Sequence, residues 1–186
     1  VVTGFGKDNL GPSLDLADEA GIPVVTSATP DPAEWPYVAN TSSVELFERN
    51  GRLLGDFMIA HSEGEANVLI AATMTFPMIA IAADAVKAAV EEGGSTCNVD
   101  VLSFEVTDIG TNLPGAVVSA IQRDPSIDYV VFQDGSFLAG VTPALVSAGL
   151  AEGVNLTSVI AHQANVEAIR VGDELASTLY SSPREA

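Results

Sequence analysis

The sequence predicts an α/β fold in which parallel sheets are flanked by helices, and three observations predict it. Short β-branched runs alternate with stretches whose apolar residues recur at helical spacing. Runs such as "IPVVT", "NVLIAA" and "YVVF" are continuously apolar, as strands covered on both faces must be. Glycine, proline and small polar residues punctuate the joins between runs and stripes.

Taken in order, the elements follow from local chemistry. Residues 1–3 read as a strand, followed by a helix over 13–20 with Leu14, Ala17 and Ala20, or neighbouring Leu16, on its apolar stripe. Gly21 supplies the left-handed stop that ends helices. "GFGKDNLG" before that helix reads as an ordinary loop between strand and helix. "IPVVT" gives a buried strand at 22–26, and three prolines in "SATPDPAEWPY" make 27–37 a loop. A long helix is expected from near Ser42, where Ser42-x-x-Glu45 has the form of a capping box. Leu46, Leu53 and Phe57, flanked by Phe47, Leu54 and Met58, mark its expected buried face.

The second half repeats one unit. Strand 67–72 leads to a helix over 77–92, opened by Pro77, which lacks only a donor the first turn does not use. That helix should bury Ile79, Ala82, Val86, Ala89 and Val90 before Gly93-Gly94 stops it. Strand 99–104 precedes a helix carrying Leu113, Val117 and Ile121, which Asp124-Pro125 breaks. Strand 129–133, helix 141–148, strand 157–161, a short helix at 166–171 and a last strand, "LASTLY", complete the pattern.

Composition bounds function. At 186 residues the chain can bury a real core, and 47% hydrophobic with 17% charged residues excludes disorder. Twenty-five acids against 7 bases give a net charge of -18, which excludes nucleic acid and anionic membrane faces as partners, since both demand clustered Lys and Arg. One cysteine, Cys97, allows neither an internal disulfide nor a zinc set. No stretch has the length of a transmembrane segment. The chain opens on "VVTGFG", as if inside a strand, so it reads as a piece of a longer protein.

In open α/β sheets, ligands sit beyond the carboxyl ends of the strands. That rule selects Ser27, Thr29 and, further along the loop, Trp35 after the strand at 22–26. It selects Thr75 and Phe76 after 67–72, Asp134 and Phe137 after 129–133, and His162, Gln163 and Asn165 after 157–161. Polar groups mixed with aromatics at successive strand ends suit a small-molecule pocket. Catalytic signatures are lacking: there is no G-x-S-x-G elbow, P-loop lysine or G-x-G-x-x-G between strand and helix. His61 with Glu63 or Glu65 lies in a polar helix end and makes a poor metal set, so no metal and no cofactor are expected.

"LADEAGIPVVT", "NTSSVELFERNGRLLGDFM", "GEANVLIAA" and "DPSIDYVVFQDGSFLAGVTPALVSAG" together resemble the periplasmic solute-binding proteins of sugar-type ABC transporters, of the ribose-binding kind. The effector domains of lac-repressor-type regulators share that fold. The resemblance implies two lobes of parallel sheet and helices, joined by hinge strands, with a small-molecule ligand between them. It places residues 1–39 at the end of an incomplete first lobe, 40–178 in the second, and 179–186 returning toward the hinge. It also implies delivery to an ABC transporter permease from a periplasmic or extracellular location, with a lipid anchor as an open option, and no enzymatic activity. An effector-binding domain of a transcription regulator and an α/β enzyme remain the alternatives.

Under the resemblance, Asp134 falls where the family has an Asn or Asp that bonds ligand hydroxyls, and Gln163 where sugar binders carry the Asp of a G-x-D-like turn. Two features depart from the sugar-binding pattern. Ala28-Thr29 stands where Asp-Arg often follows the strand, and residues 79–84 hold no arginine where the family has one. Forked, charge-assisted bonds from such residues suit polyhydroxy ligands. Their loss implies a ligand less densely hydroxylated than a pentose or hexose, or one without an anionic group.

Overall fold

The computed structural model describes residues 1–4, 6–31, 37–94 and 96–179. Two parallel sheets organise the chain. The first contains β1 (Val2–Thr3), β2 (Val24–Ser27) and β3 (Tyr37–Asn40) in that order. Two helices, α1 (Lys7–Leu10) and α2 (Pro12–Glu19), connect β1 to β2. Of the residues on α2 only Leu14 is buried, so the expected stripe narrows to one anchor and Leu16 faces solvent. α1 replaces part of the expected loop, and β3 emerges where a loop then hinge was expected. β2 begins two residues later than expected and ends one later because its ladder partners, Thr26 with Val2 and Ser27 with Thr3, lie past the exposed Ile22.

The second sheet is larger, with order β5-β4-β6-β7-β8. Its strands are β4 (Asn67–Ala72), β5 (Asn98–Ser103), β6 (Tyr129–Phe132), β7 (Asn155–Ser158) and β8 (Ala176–Ser177), all paired in parallel. The intervening helices are α3 (Val44–His61), which precedes β4, then α4 (Pro77–Glu92), α5 (Leu113–Arg123), α6 (Val141–Ala148) and α7 (Gln163–Val171). Right-handed crossovers from a strand order that reverses at β4 and β6 send α4 to one face and α5 and α6 to the other. The packing agrees: α3 lies along α4, and α5 against α6.

The core is centred on this sheet. Val68, Leu69, Ile70, Val130, Val131 and Phe132 from the two central strands are buried among Val86, Val90, Val117, Ile121 and Leu145 from the helices. Every residue expected on the buried stripes of α4 and α5 is buried. β7 starts at Asn155, two residues before the expected strand, because Asn155 pairs with Tyr129 in the ladder.

The face of α3 differs from the expected one. Phe47, Leu54 and Met58 are buried, whereas Leu53 is 53% exposed and Phe57 is also exposed. Gly51 and Gly55 explain the rotation. A Cβ on Gly51 would lie 2.1 Å from the Ala82 carbonyl oxygen, and one on Gly55 would lie 2.5 Å from Ala89 Cβ. α3 therefore turns its glycines toward α4, and the larger residues beside them face outward. The expected capping box is also replaced. Ser43 occupies the N-cap of α3, and the buried Ser42 directs its hydroxyl 3.2 Å from that of Ser27.

Candidate functional site

The strand order of the second sheet reverses between β4 and β6, which makes the crevice beyond their carboxyl ends the natural ligand position. A cleft of about 520 Å³ opens there, and the first sheet supplies its other wall through Thr3, Gly4, Ser27 and Ala28. Such a volume lies within the usual range for small-molecule sites.

Each segment of the wall is fixed by its own local bonds. After β4, the backbone N–H of Thr73 donates to Oε1 of Gln133 at 2.6 Å, and Gln133 Nε2 donates to the Ile79 carbonyl at 3.4 Å. Gln133 is fully buried at the end of β6 and so clamps the turn that presents Phe76, Met78 and Ile79 to the cleft. After β5, Glu105 N–H donates to Asp108 Oδ2 at 3.0 Å, closing a tight turn that exposes Val106 and Ile109 to the same space. Phe104, buried at the start of that segment, meets Phe137 edge-on with ring centres 5.4 Å apart. Phe137 thereby holds its place in the cleft wall.

Asp134 stands at the start of a short 3-10 turn, Gly135–Leu138, and lines the cleft. Its Oδ1 accepts from the Ser136 backbone N–H at 2.8 Å and from the Ser136 hydroxyl at 2.5 Å. His162 Nε2, from the end of the next strand, lies 2.8 Å from the same oxygen. Behind this pair, Asn165 donates through Nδ2 to the Gly135 carbonyl at 3.1 Å and to Glu174 Oε2 at 2.8 Å, while its Oδ1 accepts from the His162 backbone N–H at 2.9 Å. Gly135 is required there, because a Cβ would lie 2.2 Å from Asn165 Oδ1. Glu174, 1% exposed, also accepts from the Ser158 hydroxyl at 2.6 Å. Burial raises its pKa above the ordinary carboxylate value, against the opposing effect of its two hydrogen bonds.

On the opposite wall, Ala28 adopts φ 55, a left-handed conformation that costs a non-glycine residue roughly 1–2 kcal/mol. Strain of this kind concentrates at functional sites.

The sequence-selected residues fall into three groups. Ser27, Phe76, Asp134 and Phe137 line the cleft, and His162 joins them through Asp134. Thr29 is buried beneath the wall and accepts, through its carbonyl, from Asn40 Nδ2 at 3.1 Å. Thr75 is exposed, with its hydroxyl 3.0 Å from that of Thr73, and Gln163 is exposed on the first turn of α7; neither is among the lining residues. Trp35 lies outside the described residues. Asn165, which the same rule selects, is buried behind Asp134 and is not among the lining residues, whereas Gln133 and Glu174, whose partners lie far away in the chain, were not selected. Strand-end reasoning also missed Val106, Ile109 and Ile160, although all three follow strands.

Among the described residues no group of three or more His, Cys, Asp or Glu side chains could hold a metal ion. Nor is any helix among them long and apolar enough to cross a membrane.

A family model described as "Periplasmic binding protein domain" matches residues 1–186. No curated protein sequence matches the chain. Solved structures do. An ABC sugar transporter subunit from Rhodobacter sphaeroides 2.4.1 aligns with a TM-score of 0.71 at 22% identity, over 90% of this chain and 59% of that one. A periplasmic component of an ABC-type sugar transport system from Hahella chejuensis gives 0.75 at 13% identity, over 94% and 62%. A glucose-galactose binding protein from Geobacillus stearothermophilus gives 0.73 at 14% identity, over 96% and 62%. The chain spans about three-fifths of the length of these structures. At these identities the likeness is one of fold, an α/β architecture of parallel sheets flanked by helices.

Proposed function

Because the chain belongs to the periplasmic binding protein domain family, a family of solute-binding proteins and not of enzymes, we propose that its cleft binds a small solute for delivery to an ABC importer. The observation that carries this reading is the cleft itself. It lies at the carboxyl ends of both parallel sheets, and its walls come from both. In this reading residues 1–39 belong to one lobe and 40–178 to the other; of the segment 179–186, expected to return toward the hinge, residues 180–186 lie outside the described residues. Binding draws the lobes together by a hinge motion, and the closed form is what the permease recognises. The protein acts in the periplasm or outside the cell, and a lipid anchor would keep it beside its permease.

Asp134 is the polar contact on the second sheet's side, with Ser27 facing it from the first sheet and Phe76 and Phe137 supplying apolar contact. His162 acts through Asp134. Native mass spectrometry of the full-length protein, gently purified, should show a co-purified small molecule. Small-angle scattering should show compaction when that solute is returned to stripped protein. Stripped and loaded protein with identical scattering curves would refute closure on a ligand.

A further inference from the structure

The cleft wall carries an unusual balance of chemistry. Among the described residues that line it, Asp134 is the only charged one, and none is Lys, Arg or His. Phe76 and Phe137 present aromatic surface, with Phe104 braced behind the latter. Of the three hydroxyl residues, Ser136 donates to Asp134 and Ser27 lies within bonding distance of Ser42, which leaves Thr3 at the first sheet's edge. All three donors to Asp134 converge on Oδ1, and Oδ2 takes no hydrogen bond from a described residue.

Three classes of ligand can be weighed against this wall. An anion meets a carboxylate, no lysine or arginine, and a single imidazole, His162, already paired with Asp134. A polyol would lose several water bonds against a wall with few donors or acceptors to replace them, and every polar group left unpaired on burial weakens binding. A compact apolar body with one ammonium group has no such conflict. Its head pairs with the open oxygen of Asp134 in a charge-assisted bond, and aromatic faces favour a nearby cation. The net charge of -18 attracts cations from solution as well.

Resting on the solute-binding reading above, we infer that the ligand is a small apolar or aromatic amine, held by Asp134 through its ammonium group. Anions and densely hydroxylated sugars are excluded by the same wall. Asp134 sets this specificity, and Phe76 and Phe137 select for the apolar body.

The test is a matched series of probes on full-length protein stripped of any co-purified solute. The series is 2-phenylethylamine, its neutral counterpart 2-phenylethanol, the anion 3-phenylpropionate, and D-ribose and D-glucose, compared by calorimetry and thermal shift. The amine should bind about tenfold or more tighter than the alcohol, and the anion should not bind. Asp134→Asn, which keeps an acceptor for the Ser136 N–H, should reduce that preference to about two- to threefold. The unmodified protein's ranking of amine over alcohol does not depend on how well the variant folds. An aldose binding more tightly than the amine overturns the ligand class but leaves solute binding intact. A flat response to every probe also overturns the class, and the co-purified mass then decides separately whether the cleft binds any solute. Unchanged amine preference in folded Asp134→Asn removes Asp134 from the recognition.

Discussion

Asp134 gathers three donors on one oxygen, and two of them come from Ser136, only two residues along the chain. The carboxylate is therefore a cap for the following turn and at the same time a feature of the cleft wall. Its position after a strand was legible in the sequence, since strand ends are where open sheets expose functional groups. Asn165 was legible by the same rule, but the buried network it joins was not, because Asn165 and Glu174 reach partners 30 and 16 residues away that no local pattern connects. That network yields a prediction. Glu174 has only neutral hydrogen-bond donors as partners, and burial holds its folded pKa above the ordinary value. In the unfolded chain it ionises in the ordinary range, so the folded state binds more protons over the interval between the two values. The resulting contribution to stability is fully present below the unfolded pKa and is lost as pH rises through the folded one. Glu174→Gln should remove that component. Melting temperatures of the two proteins across acid to neutral pH should converge at the acid end and diverge in favour of the variant as pH rises. Parallel curves would show that Glu174 does not titrate in the folded protein.

At the scale of elements, the sequence located α4 and α6 residue for residue and the buried stripe and end of α5, because their apolar faces meet a sheet that accepts large side chains. α3 escaped the same reasoning on one point. Leu53 and Phe57 have the hydrophobicity of core residues, but close approach to α4 is set by Gly51 and Gly55, where any side chain would overlap the facing helix. A stripe of glycines reads as weak helix in a sequence and as contact surface in a fold. The consequence is measurable. In an exposed helix Gly→Ala gains roughly 0.5–1 kcal/mol from reduced backbone entropy. Gly51→Ala should reverse that sign, because its methyl would be driven against the Ala82 backbone and force α3 away from α4. Overpacking of this kind costs typically 1–3 kcal/mol. Gly115, on the exposed side of α5 with nothing near its added Cβ, is the control, and Gly115→Ala should be neutral or stabilising. Urea unfolding of both variants gives the comparison. A stabilised Gly51→Ala would mean that the two helices can separate freely.

For the whole molecule, the two sheets are unequal partners. The second has five strands wrapped by helices and holds nearly all of the buried hydrophobic residues described; among the described residues before Phe47 only Leu14 and Tyr37 are buried apolar side chains. The first sheet has strands of two to four residues, which bury too little apolar surface to resist local opening. Repetition of strand and helix made the α/β class legible from end to end. β3 was missed because a proline-rich stretch of sequence precedes it and its pairing partner is β2, whose register shifts between Val24 and Val25. Hydrogen exchange of the 186-residue chain should therefore divide along the same line. Amides of β1 and β2 should exchange through local opening, well before those of β4 and β6, which should approach protection by global unfolding. The cleft adds a second contrast. A solute bridging both walls stabilises the closed arrangement in proportion to its occupancy, so its protection should extend to Gly4, whose N–H donates to the Ser27 carbonyl, and to Gly135, whose N–H donates to the Ile160 carbonyl. Those two amides lie on opposite sheets and share no direct bond. Slowed exchange at both on addition of one solute would report closure across the cleft. Slowing at Gly135 alone would show that the solute binds to the larger sheet without drawing the smaller one onto it.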